Sequence, residues 1–185
     1  IEWALKELRE NAGVRWTLVF MHQPLWLMEE GILIHKEGQK TLRKTSTGWP
    51  KVAQALKGHK HTVFAGHIHH YAKYQRNGAS FYTLGTTGGG SKLRGVDFGE
   101  FDHATWVTMT DLGPRMANLA IEGIMKDDVT TENHQKFWRG LVFEEHFPKG
   151  MDLNGETLTL PLSNPFAFEI KGKLSWINPF SSKLE

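Results

Sequence analysis

The chain has 185 residues, 39% of them hydrophobic and 23% charged, with a formal net charge of +2 when its histidines are counted neutral. Such a chain can bury one core and a second small one, and no run of Lys and Arg forms the stripe that nucleic acid or an anionic membrane surface demands. There is no cysteine, which excludes disulfides and thiolate zinc sites, and no apolar stretch approaches the roughly 20 residues that span a bilayer.

IEWALKELRENAG opens the chain with Ile1, Leu5 and Leu8 on one helical face, widened by Trp3 and Ala4, and with Gly13 as a stop. VRWTLVFM is rich in β-branched and aromatic residues and predicts a strand buried on both faces. His22 closes it, and Pro24 prevents regular pairing from continuing. From Leu27 to Ser46 no period persists, which predicts a long surface excursion. WPKVAQALKG predicts a short helix, with Pro50 in its first turn and Gly58 at its end. HTVFAG is a second buried strand, and it delivers His67 and His69. YAKYQRNG and ASFYTLG predict a hairpin through Asn77-Gly78. The glycine-rich GTTGGGSKLRG follows, then ATWVTMTD and MANLAIEGI as a further hairpin turning at DLGPR.

Helix followed by buried strand is the rhythm of an α/β layer. After Ile124 the polar MKDDVTTENHQ reads as a linker, which divides the chain into residues 1–124 and 125–185. Within the second part FWRGLVFEEHF, ETLTLPL and FAFEIKGKLSW predict short strands, a small β-rich appendage too meagre to form an independent core.

His22 ends the first strand, and His67 and His69 end the second. In a parallel α/β sheet ligands gather outside the carboxyl ends of strands, so neighbouring strands would bring three imidazoles to one rim. Neutral imidazole nitrogen binds first-row divalent ions without adding charge. Gly66 is expected to let the chain turn so that the two following rings address different ions. His70 is read as a solvent or outer residue, His59 and His61 as surface residues, and His103 as a packing or capping residue. GTTGGGSK is no P-loop, because Ser91 and Lys92 stand in the wrong order and no amphipathic helix follows. A G-x-S-x-G nucleophile elbow is absent from the sequence.

FMHQPL around His22 and the Gly66-His67-Ile68-His69 step resemble the last two motifs of the calcineurin-like metallophosphoesterases. The resemblance covers about the first two thirds of the chain and implies the C-terminal half of that family's αββα sandwich, followed by the β-rich segment. It implies two divalent ions (manganese, iron, zinc or similar), with His22 and His67 on one and His69 on the other. The implied reaction is hydrolysis of a phosphate mono- or diester, in which the ions polarise phosphoryl oxygens and activate a bridging hydroxide. The family's Asp-x-His, Gly-Asp-x-x-Asp and Gly-Asn-His motifs do not precede His22. The chain is therefore expected to be a fragment, its site completed by a missing N-terminal half or by another copy. Two other classes stay open: a non-catalytic metal-binding or interaction module, and a hydrolase of another ester at a mononuclear site.

Overall fold

A computed structural model describes residues 1–31, 47–141, 166 and 169. Helix α1 (Glu2–Glu10), strand β1 (Thr17–Met21), and helices α2 (Leu25–Glu29) and α3 (Trp49–Ala55) come first. Strands β2 (His61–Ala65), β3 (Ala72–Arg76) and β4 (Ala79–Thr83) follow. A single 3-10 turn, Val96–Phe98, leads into β5 (His103–Thr110), β6 (Gly113–Ala120), β7 (Gly123–Lys126) and helix α4 (Glu132–Leu141). Among the described residues no helix is long and apolar enough to cross a membrane.

The architecture is mixed α/β. β1, β2, β4 and β3, in that order, form one sheet, in which β1–β2 and β2–β4 are parallel and β3–β4 is the antiparallel hairpin. β5, β6 and β7 form a separate antiparallel sheet. Alternation along the strands sends side chains to two cores. On one face Val63, Ala65, Tyr74 and Phe81 pack with Trp26 and Leu27 of α2, Trp49 and Val52 of α3, and Ala4 and Leu8 of α1. On the other, Phe64, Tyr71 and Tyr82 pack against Val107 of β5 and Met116 of β6. The four-stranded sheet thus lies between a helical layer and the three-stranded sheet.

The local signals act as expected at Asn77-Gly78, where both residues have positive φ (52° and 78°) and the two strands pair directly. Pro50 stands in the first turn of α3, and Gly58 turns at φ 89° just beyond it. Elsewhere the structure departs from the sequence pattern. β1 is not buried on both faces: among the described residues it is an edge strand, and Phe20 is 70% exposed. Trp3 is 74% exposed and does not widen the apolar face of α1, which rests on Ala4 and Leu8. Pro24 does more than end a strand, since it caps α2, whose Trp26 and Leu27 are buried. MANLAIEGI is split by a tight turn at Ile121-Glu122 into β6 and β7, and β7 runs across position 124. Residues 137–141 are helical rather than extended, because the charged and polar residues of Glu132–Lys136 continue as one amphipathic turn after another into the apolar run. The excursion beyond Gly31 up to Ser46, and the strands predicted beyond Leu141, lie outside the described residues apart from Phe166 and Glu169.

Candidate metal centre

The register Met21↔Ala65 aligns the carboxyl ends of β1 and β2. One step further the Gly66 N–H donates to the His22 carbonyl at 3.0 Å, so the pairing continues into the two histidine segments. His22 and His67 consequently meet. His67 Nδ1 lies 3.1 Å from His22 Nε2, with the rings edge to face at 5.0 Å between centroids. Two nitrogens each roughly 2.0–2.1 Å from one tetrahedral ion stand about 3.3 Å apart. A cation can therefore take the place of the shared proton with a shift of a few tenths of an ångström.

The turn that presents these rings is made by the histidines themselves. His67 has φ 72° and His69 φ 56°, whereas Gly66 is not among the residues of positive φ. A Cβ on Gly66 would meet only the His22 carbonyl, at an ordinary 3.8 Å. Gly66 is thus not the hinge that the sequence suggested. Left-handed backbone at non-glycine residues costs energy and clusters at functional sites, and here it falls on the two candidate ligands.

His69 does not join the pair through hydrogen bonds. Its Nδ1 donates to the Gly90 carbonyl at 2.6 Å, which fixes the proton on that nitrogen and presents Nε2 as the free lone pair. A backbone carbonyl in that role is how proteins orient a metal-ligating imidazole. Gly90 lies in the glycine-rich loop, and this contribution had no signal in the sequence, since a carbonyl carries none and the partner is 21 residues away. The loop is pinned at its base. Thr86 Oγ1 donates to Asp102 Oδ1 at 2.7 Å and Thr87 Oγ1 to the His103 carbonyl at 2.8 Å. The Thr86 hydroxyl holds the Asp102 carboxyl below the usual carboxylate range.

His103 is a packing residue. It is 6% exposed, lies edge-on to Tyr71 at 5.2 Å, and donates from Nδ1 to the Phe101 carbonyl at 3.2 Å. Burial keeps its pKa below the usual imidazole range, hence neutral. It also crowds Gly85, where a Cβ would come within 2.9 Å of its Cε1. His61 sits at the opposite end of β2, accepting no role at the rim, with Nδ1 2.7 Å from the His59 carbonyl.

Among the described residues no group of three or more His, Cys, Asp or Glu is placed to hold an ion. The donor set is two convergent imidazoles with a third oriented nearby. It fits one first-row divalent ion in part, and a second positive charge calls for carboxylates. No protein-family model matches the chain, and neither does a curated protein or a solved structure.

Proposed function

We propose that residues 1–124 are the C-terminal half of a calcineurin-like metallophosphoesterase sandwich, in which His22 and His67 hold one divalent ion and His69 the other. The observation that carries this reading is the 3.1 Å approach of His67 Nδ1 to His22 Nε2 at the carboxyl ends of adjacent parallel strands. The orientation of His69 by Gly90 supports its separate role. When bound, the ions supply Lewis-acid polarisation of phosphoryl oxygens and lower the pKa of water. The chain's own part is to fix the imidazole tautomers and to set the spacing of the ligands. The glycine loop stands beside them, where backbone amides can approach an anion. The substrate class is a phosphate mono- or diester, and the carboxylates that balance the charge come from an N-terminal half or another copy.

Calorimetric titration of Mn²⁺ or Zn²⁺ into the metal-stripped chain tests the ligands. His22→Ala and His67→Ala should each lose the ion those two rings share, and His69→Ala should lose the other. Unchanged isotherms in all three variants sink the assignment. Chelator-sensitive turnover of a phosphodiester supports the reaction class, and turnover of a carboxylic ester alone argues for the other hydrolase. That no group of three or more His, Asp or Glu is placed to hold an ion among the described residues favours a second reading, a non-catalytic module that binds one ion. One ion bound without turnover, even with the N-terminal half supplied, is its signature.

A further inference from the structure

The tip of the glycine-rich loop has no side chains with which to fasten itself. Gly88, Gly89 and Gly90 follow one another, and yet the Gly90 carbonyl stands where His69 Nδ1 donates to it at 2.6 Å. Whatever fixes that carbonyl must hold the backbone itself. Residues 100–103 hold it on both legs. On the far leg the Arg94 guanidinium pairs with Glu100, and the Gly95 N–H donates to the Glu100 carbonyl at 2.9 Å. On the near leg the His103 N–H donates to the Thr86 carbonyl at 3.0 Å, and Thr87 Oγ1 donates to the His103 carbonyl at 2.8 Å.

Asp102 reaches furthest along the near leg. Its carboxylate accepts from Thr86 Oγ1 at 2.7 Å and from the Gly88 N–H. Hydrogen bonds to a carboxylate are roughly twice as strong as neutral ones. Between the two donors and Gly90 the chain folds tightly, since a Cβ on Gly89 would come within 3.0 Å of Thr86 Cγ2. The path from Asp102 to His69 is thus one hydrogen bond to Gly88, two peptide units and one hydrogen bond from the imidazole.

We propose that Asp102 is a positioning residue for His69: by holding Thr86 and Gly88 it sets the Gly90 carbonyl, which keeps the imidazole proton on Nδ1 and leaves the Nε2 lone pair open to an ion. A neutral imidazole left to water carries its proton mostly on Nε2, which would turn the lone pair to the wrong side of the ring. A fixed acceptor at Nδ1 reverses that choice. The consequence for ion binding rests on the metal reading above, whereas the choice of tautomer does not.

Long-range proton–nitrogen spectra of the metal-free whole chain, recorded at about pH 8.5 where imidazoles are neutral, read the tautomer directly. In the wild-type chain His69 should carry its proton on Nδ1. Asp102→Ala should shift it toward Nε2, and Thr86→Val, which removes one of the two donors, should shift it in the same direction. Asp102→Asn, which keeps an acceptor oxygen, should fall between wild type and Asp102→Ala. Asp111→Asn, beyond the far end of β5 and paired with Arg15, should leave it unchanged. In Zn²⁺ titrations Asp102→Ala should weaken the ion that His69→Ala loses by about tenfold and spare the one shared by His22 and His67. A wild-type proton on Nε2, a tautomer indifferent to both Asp102→Ala and Thr86→Val, or an equal weakening of both ions would each overturn the inference. If the tautomer moves while no variant changes Zn²⁺ binding, the metal reading fails and the positioning of His69 stands.

Discussion

The β3 side of the molecule and the histidine rim are built on opposite principles. On the β3 side almost every polar group finds a partner. Asp127 Oδ2 accepts from Lys73 Nζ at 2.6 Å and from the Tyr82 hydroxyl at 2.7 Å, while the Asp127 carbonyl accepts from the Tyr71 hydroxyl at 2.6 Å. Burial raises both phenols well above their usual range, so they stay donors. Arg76 donates to both oxygens of Glu30, at 2.7 and 2.8 Å, and to Glu132 at 2.8 Å, tying α2 and α4 to the strand between them. At the rim, two histidines sit in left-handed backbone and the rings of His22 and His69 are exposed. Among the described residues the ion pairs gather on the β3 side, and left-handed backbone falls on two of the candidate ligands.

The contrast breaks most severely at Gly99. Its φ is 69° and an added Cβ would fall on the Tyr71 carbonyl oxygen, with Gln135 Nε2 at 2.9 Å. Gly99→Ala should cost about 3 kcal/mol or more in urea unfolding, and a loss near zero would show that the loop is not fastened to β3.

Arg76→Ala comes next. It strands two carboxylates whose side chains are 33% and 19% exposed, and after solvent screening the loss should be about 2 kcal/mol. The pH profile sharpens this. Burial pushes the Glu132 carboxyl up, but hydrogen bonds from Arg76 and Lys136 outweigh it and hold its pKa below the usual glutamate range. A carboxyl depressed on folding contributes stability that is complete above its unfolded pKa and is lost as pH falls through the folded value. Below the usual glutamate range the wild-type chain should therefore lose stability with acid more steeply than Arg76→Ala. Parallel profiles would place the coupling elsewhere.

His67→Gly should go the other way. Glycine relieves the left-handed strain at φ 72°, and stability should rise by about 0.5 kcal/mol while the ion shared with His22 is lost. A loss as large as that of Arg76→Ala would make His67 a structural residue. The smallest effect belongs to Trp3→Gln: with the ring 74% exposed, the change in unfolding free energy should stay within about 0.5 kcal/mol.

What the sequence determined by itself is whatever rests on a few neighbouring residues. Asn77-Gly78 dictates a hairpin because both positions need positive φ, Pro50 and Gly58 bound α3 by their backbone limits, and the apolar run of β2 needs no partner to be recognised as a strand. The convergence of His22 and His67 at one rim was also legible, since both follow strands. Only tertiary structure decided the rest. Composition reports that a strand is apolar but not which strands flank it, so it could not tell that β1 lies at the edge among the described residues, with Phe20 exposed. α2 and α4 are too short or too polar to declare themselves without the core and ion pairs that hold them. The 3.1 Å between two imidazoles depends on the β1–β2 register, and the orientation of His69 depends on a carbonyl brought in from a distant loop. Periodicity encodes which face a residue takes, whereas register and neighbours are fixed only when the layers pack.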